Sequence, residues 1–332
     1  MTSEPRTQPR RLGATGPELF PIALGCMGMS GMYGPAHEDQ GIATIQAALD
    51  AGVRLIDTGD FYGNGHNEML IGRALRGRRA QALISVKFGA LRSPDGGWLG
   101  VDTRPVAVKN FLAYSLKRLG VDHVDIYRPA RLDPSVPIED TVGAIAELVK
   151  AGYVGRVGLS EVGVETIRRA RAVHPICDLQ IEYSLISRAP ETRIFPVLAE
   201  LGIGVTAYGV LSRGLLAGSK PAGPGDFRAQ LPRFSGENRE RNERLVATLR
   251  RLAAARGVSP SQLAIAWLLA KDPNIVPVIG ARTPAQLAES LAALKIALGP
   301  AELTEIEGAV PASAAAGARY DERQMRVLDS ER

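Results

Sequence analysis

The stretch Leu55-Ile56-Asp57-Thr58-Gly59-Asp60-Phe61-Tyr62-Gly63 sets a carboxylate at the end of one short apolar run and a phenol just past it. Ile84-Ser85-Val86-Lys87 ends a second run on an ammonium. Brought together, Asp57, Tyr62 and Lys87 make an acid–base set. A cation beside a phenol favours the phenolate and so makes the phenol a better proton donor. Such a donor suits a reaction in which an oxygen is protonated while hydride reaches the neighbouring carbon.

The elements that must position these groups alternate along the chain. After polar residues 1–10, expected to be disordered, Arg11 to Phe20 reads as a hairpin around Gly13-Ala14-Thr15-Gly16. Strands are expected at Pro21–Leu24, Arg54–Asp57, Ala82–Lys87, His123–Arg128, Val157–Ser160, Asp178–Glu182, Gly204–Ala207 and 275–279. Helices fall between them at Asp39–Ala51, Glu68–Leu75, Pro105–Leu119, Ile138–Ala151, Val164–Ala172, Thr192–Leu201, 237–256 and 260–271, with a last one at 284–294. The helix from Pro105 opens on proline and closes at Gly120, the usual asymmetry of helix ends. Leu211 to Ser235, rich in Gly, Pro and Ser, reads as a mobile loop over the site.

Eight strand–helix steps with helical crossovers predict parallel strands closed into an α/β barrel of the (β/α)8 type. The full expectation is one domain over residues 1–332, with an N-terminal β-hairpin, extra C-terminal helices and a tail from Ala312 that could fold back across the barrel mouth. A doubly wound open sheet would carry G-x-G-x-x-G after its first strand, and Gly25, Gly28 and Gly31 have the wrong spacing.

Composition narrows the class. The 332 residues are 45% hydrophobic and 23% charged, with net charge +5. Lys and Arg are scattered, which argues against a nucleic-acid surface. Cys26 and Cys177 lie far apart in apolar surroundings and read as reduced thiols of a cytoplasmic protein. No metal spacing and no signal-peptide pattern is legible, and no apolar run approaches membrane-helix length.

Barrel chemistry sits at the C-terminal ends of the strands. Those ends carry Asp57, Lys87, Arg128 to Arg131, Ser160-Glu161, Gln180, Tyr208 and Gly280 to Arg282. Here the chain resembles the aldo-keto reductases. The matching residues are Asp57-Thr58 with Tyr62-Gly63, Lys87 ending the next strand, and Leu24-Gly25-Cys26-Met27-Gly28. Tyr208 with Leu211-Ser212-Arg213-Gly214, and Val278-Ile279-Gly280-Ala281-Arg282, complete the set over about residues 11 to 294.

The resemblance implies NADPH and metal-free reduction of aldehydes or ketones. Tyr62 would protonate the substrate oxygen, Lys87 would lower the Tyr62 pKa, and Asp57 would hold Lys87. Ser160 and Gln180 would bond the nicotinamide carboxamide, Tyr208 would stack on its ring, and Met27, Gly28 and Asp57 would adjoin it. Leu211, Ser212 and Gly214 would wrap the pyrophosphate, with Gly280 beside Arg282. Arg282, next to the helix opened by Thr283-Pro284, would meet the 2′-phosphate, and Gln286 and Glu289 would edge the adenine. Glu161 stands where the family usually has Asn.

A substrate pocket is expected from Met29, Tyr33, Phe61, Phe88 and Trp98, together with Arg128 and Arg131. One departure stands out. The family's His after the fourth strand aligns with Ala130 in Tyr127-Arg128-Pro129-Ala130-Arg131. Arg128 or Arg131 would have to supply the missing donor to the carbonyl, and Tyr62 is left as the sole acid. Two other readings stay open: a pyridoxal-type reductase, and a cofactor-binding regulatory subunit with little turnover. The expected partner is a small-molecule carbonyl compound, and monomer and homo-oligomer are both compatible with the sequence.

Overall fold

The computed structural model describes residues 8–223 and 225–332. Eight strands carry the site: β1 (Ala23–Gly25), β2 (Leu55–Gly59), β3 (Leu83–Phe88), β4 (Val124–Pro129), β5 (Val154–Ser160), β6 (Ile176–Glu182), β7 (Gly204–Tyr208) and β8 (Ile275–Gly280). They close into a barrel in sequence order, each neighbouring pair parallel, and β8 returns to β1 through Val278 against Ala23 and Ile279 against Leu24.

The crossovers are α1 (Glu38–Asp50), α2 (His66–Ala74), α3 (Pro105–Leu119), α4 (Ile138–Lys150), α5 (Val164–Val173) and α6 (Pro190–Leu201). Next come α7 (Gly236–Ala254) and α8 (Pro260–Lys271) before β8, then α9 (Pro284–Leu291), α10 (Pro300–Ala309) and α11 (Glu322–Arg326). Local chemistry sets several boundaries. Gly120 takes the left-handed conformation that ends α3, and a Ser259–Gln262 capping box opens α8. The expected (β/α)8 barrel is the fold. Among the described residues no helix is long and apolar enough to cross a membrane.

Three local expectations change. Disorder was expected over residues 1–10, of which 1–7 lie outside the described residues. Arg10 belongs to the hairpin formed by Arg10–Arg11 and Glu18–Leu19, and its guanidinium donates to the carbonyls of Leu269, Asp272 and Ile275. β5 starts at Val154, earlier than the pattern suggests. A Cβ at Gly155 would lie 2.7 Å from the Asp125 carbonyl oxygen, so the glycine is what lets β4 and β5 pair closely. An extra hairpin, Ala90–Arg92 with Trp98–Val101, follows β3 and is too short to show periodicity.

The barrel interior is layered. Leu12 and Leu19 of the first hairpin share an apolar cluster with Ala23, Leu55, Ile126, Val276 and Val278 at the end away from the site. Above it the lining turns polar, and Gly158 makes the room. A Cβ at Gly158 would lie 2.8 Å from Asp178 Oδ1 and 3.1 Å from Arg128 Cζ, both fully buried. Gly158→Ala is therefore expected to cost about 1–3 kcal/mol by overpacking. Urea unfolding measures this, and an unchanged midpoint would mean that the polar layer yields freely.

Candidate active site

Strand alternation gathers the site. Residues two apart on a strand share a face, so Ser85 and Lys87 of β3 project inward with Asp57 of β2, as do Asp178 and Gln180 of β6. Lys87 Nζ pairs with Asp57 Oδ1. Asp57 Oδ2 accepts from Ser85 Oγ at 2.9 Å and from Gln180 Nε2 at 2.8 Å. Asp57 and Lys87 are each only 4% exposed, so neither charge could be held there without the other.

Tyr62 follows β2 in a tight turn, Tyr62–Gly65, in which Gly63 and Asn64 have φ of 57° and 51°. The ring packs edge-on against Phe61 at 4.8 Å, and Lys87 Nζ stands 5.2 Å from its centroid. The three groups picked out from the sequence thus meet at the barrel mouth. Burial pushes the Tyr62 hydroxyl well above the ordinary phenol range, the Asp57 charge adds to this, and Arg131 opposes it. Burial pulls Lys87 down, with Asp57 holding it up and Arg128 pressing it further down. At neutral pH Tyr62 keeps its proton.

Among the expected cofactor residues, the Ser160 hydroxyl is buried with no hydrogen-bond partner among the described residues. An orphan donor at this depth fits the carboxamide of a nicotinamide. Gln180 lies beside it, but its amide donates to Asp57. Met27 is half-buried, and Gly28 is where the Tyr33 ring and the Arg282 stem close in, 3.3 Å and 3.4 Å from a Cβ built there. Arg282 sits at the start of α9, where Thr283 caps Gln286 N and Gln286 Oε1 accepts from Arg282 N at 2.9 Å. Its guanidinium rests on the carbonyls of Tyr33 and Pro35. A cation at a helix N-terminus fits a phosphate. Gly280 is exposed with open space around it. Glu289 departs from expectation, because its carboxylate accepts from Ser259 Oγ at 3.0 Å and so faces the start of α8.

The loop after β7 is pinned rather than loose. Arg228 is buried on Asp226, and Arg233 donates to Ser187 Oγ at 2.8 Å and to Ile186 O. The NH groups of Ser212 and Gly214 bond within the loop, and Leu211 closes its first turn by accepting from Gly214 N. Arg213 pairs with Glu182 at 2.9 Å. Ser212, Arg213 and Glu161 have positive φ, three of only four such non-glycine residues among the described ones. Backbone strain of this kind persists where surrounding contacts over-determine it.

The tail does fold over the mouth, and it explains Glu161. Arg319 grips Glu161 with two donors, at 3.0 and 2.9 Å, and lies 3.4 Å from Glu182. Ser330 donates to Glu161, Asp329 accepts from Gly163 N, and the Tyr208 hydroxyl donates to Glu161 at 2.7 Å. Tyr320 lies beneath the Arg213 guanidinium, 4.5 Å from ring centroid to Cζ, with its hydroxyl 3.1 Å from that of Tyr208. No local signal marks Arg319 or Tyr320. Ser85, by contrast, was legible as the inward residue two before Lys87.

Three of the seven expected substrate residues, Met29, Phe88 and Arg128, lie elsewhere. Phe88, next to inward Lys87, points outward and stacks on Tyr127 at 4.2 Å. Met29 packs on Gly41 of α1. Arg128 is fully buried beneath the site, paired with Asp178 at 2.8 Å, and does not face the mouth. Arg131 donates to Ala130 O and to the Tyr320 hydroxyl. Phe61 does line a cavity of about 380 Å³, with Arg92, Ser93, Phe111 and Tyr114. Trp98 adjoins it through Arg92, 5.5 Å from its ring, while Tyr33 lies under Arg228. Asp60, buried at the cavity wall, is pushed up to about 8 by burial and then by Glu68.

Burial alone would raise Glu161, but Arg319, Arg131 and Ser330 together hold its carboxyl well below the usual carboxylate range. A depressed folded pKa means stabilisation present above about pH 4.3 and lost as pH falls below it. Arg319→Ala is expected to remove about 3 kcal/mol at pH 7. In thermal melts the gap to wild type should narrow toward pH 3, and a gap that stays constant with pH would contradict the pairing.

The family comparisons agree with this geometry. The model of the Aldo/keto reductase family matches residues 21–311. A protein named probable aldo-keto reductase 1 from Glycine max is 39% identical over 325 residues, covering 96% of this chain and 93% of its own. A Schizosaccharomyces pombe protein named aldo-keto reductase yakc, NADP(+), is 38% identical over 308 residues, covering 90% and 91%. Among solved structures, a glycerol dehydrogenase of Gluconobacter oxydans superposes with a TM-score of 0.81 at 28% identity, over 92% of this chain and 97% of that one. A thermostable aldo-keto reductase in complex with the inhibitor epalrestat gives 0.73 at 28% identity, over 91% and 99%. With a matching family model over most of its length and the same barrel beneath it, this chain belongs to the aldo/keto reductase family.

Proposed function

We propose that the protein is an NADPH-dependent carbonyl reductase that converts aldehydes or ketones to alcohols, with Tyr62 as the general acid. The observation that carries this reading is the buried Asp57–Lys87 pair directly beneath the Tyr62 ring. The orphan hydroxyl of Ser160 and the cation Arg282 at the start of α9 support a nicotinamide at one end of the cleft and a phosphate at the other. The NADP(+) in the name of the S. pombe relative supports the choice of cofactor. Ser160, Tyr208 and Arg282 would hold NADPH, which would supply the hydride when bound.

The chain's own residues supply the proton. Burial keeps Tyr62 protonated at rest, so the acid is loaded at neutral pH. As the carbonyl oxygen gains charge, the proton moves from the Tyr62 hydroxyl to that oxygen. The Lys87 ammonium, 5.2 Å from the Tyr62 ring centroid and already oriented by Asp57, would stabilise the phenolate left behind without reorganisation. Ala130 offers no second donor at the place where the family carries His, and Arg131 is spent on Ala130 O and Tyr320. Tyr62 therefore acts alone.

A second reading, a cofactor-binding protein with little turnover, draws on Ala130 and on the tail that engages Glu161 and Tyr208. It is favoured by tight NADPH binding with no oxidation of NADPH by aryl aldehydes, α-diketones or pyridoxal. Preference for pyridoxal within that panel favours a pyridoxal-type reductase. Tyr62→Phe is expected to lower kcat by roughly 100-fold or more while sparing NADPH binding, since general acids contribute about 10²–10⁴ in rate. Full activity in that variant removes the mechanism. Arg282→Ala should weaken NADPH about tenfold more than NADH, the loss of one charge-assisted contact. Equal losses for the two cofactors remove the 2′-phosphate assignment.

A further inference from the structure

Beneath the Asp57–Lys87 pair lies a second ion pair that the proposed chemistry does not use. Arg128 of β4 and Asp178 of β6 are fully buried, 2.8 Å apart, and Thr206 donates to the same Asp178 oxygen at 2.5 Å. The Ser85 hydroxyl, also fully buried, joins the two pairs. Arg128 Nη2 donates to Ser85 Oγ at 3.1 Å, and Ser85 Oγ donates to Asp57 Oδ2 at 2.9 Å. The connected order is Asp178, Arg128, Ser85, Asp57, Lys87.

The direction of the chain follows from donor inventory. A guanidinium can only donate, so it occupies a lone pair of Ser85 and leaves the single O–H for Asp57. The nearby positive charge also polarises that O–H and strengthens the bond it makes. Asp57 then divides its charge, with Oδ2 held by Ser85 and Gln180 and Oδ1 by Lys87. A buried ion pair is weak evidence for stability, since apolar residues of the same volume often do as well. Its place under the site asks for another account.

We infer that Arg128 is a positioning residue for the reaction: acting through Ser85, it orients Asp57 and limits how far Asp57 neutralises Lys87. This rests on the reductase reading above. Without the relay, more of the carboxylate charge falls on Lys87, which becomes harder to deprotonate and less able to stabilise the Tyr62 phenolate. Lys87 faces Asp57, Arg128 and Cys26. Tyr62 faces Asp57, Tyr33, Arg131 and Tyr320, with Arg92 also within reach of it. Burial pushes Cys26 up, and Tyr33 up to about 12.

The test compares wild type with Ser85→Ala, which cuts the relay and keeps the Arg128–Asp178 pair, and with the double variant Arg128→Met/Asp178→Leu, which leaves no unpaired charge. Two readouts are taken from folded protein: kcat and KM against pH with NADPH and 4-nitrobenzaldehyde, and the titration of Lys87 by ¹³C NMR of labelled lysine, assigned with Lys87→Met. Both variants should lose about tenfold in kcat with little change in KM, the equivalent of one weakened charge-assisted bond. In both, the alkaline limb and the Lys87 titration should move up by on the order of one pH unit. A fall in kcat with both unmoved makes the role merely structural and overturns the inference, as does wild-type behaviour in either variant. If wild type oxidises no NADPH with any carbonyl, the reductase reading falls, while the Lys87 titration still decides the relay.

Discussion

The buried pairing of Lys87 with Asp57 constrains everything around it. Two charges at 4% exposure have given up most of their hydration, and the barrel returns it as fixed donors. Ser85 and Gln180 saturate one carboxylate oxygen, and Lys87 takes the other. These groups come from β2, β3 and β6, so only a closed sheet brings them together. The parallel barrel is thus the condition for an ammonium under the Tyr62 ring.

A second electrostatic centre governs the other side of the mouth. Glu161 and Glu182, both buried, are met by Arg213, Arg233 and Arg319, one from the start and one from the end of the loop after β7 and one from the tail. These acids act as anchors for segments with little apolar surface of their own. That accounts for an ordered loop in a stretch rich in Gly, Pro and Ser. It also gives Glu161 an occupation other than the amide contact that an Asn would make. The left-handed backbone of Glu161, Ser212 and Arg213 is held by the same network.

The two centres also differ in what they ask of the chain. The first is built on strands, where each side chain's direction follows from the pleat, and it could be read ahead of the structure. Asp57 and Lys87 were legible for this reason, Tyr62 from its place just past the first of these strands, and Ser85 shares the face of Lys87 by the pleat rule. Phe88 violates it as a pocket residue, since the neighbour of an inward Lys must point outward, where it meets Tyr127. Arg128 was placed at the right strand end but at the wrong depth. Gly158 clears the space for its guanidinium and Asp178 supplies the counter-charge, and both lie on other strands.

From the sequence alone came the order of elements and the eight-step barrel, because local periodicity and Gly and Pro punctuation act within a few residues, while the family came from the resemblance of its motifs, Asp57, Tyr62 and Lys87 among them. Only the tertiary structure decided that Arg128 sits under the site, that Met29 and Phe88 leave the pocket, and that Arg319 and Tyr320 close over Glu161 and Tyr208. Those outcomes depend on contacts between residues far apart in the chain, such as Arg319 with Glu161. The energy of such a contact is set by burial and by partners that no local stretch contains.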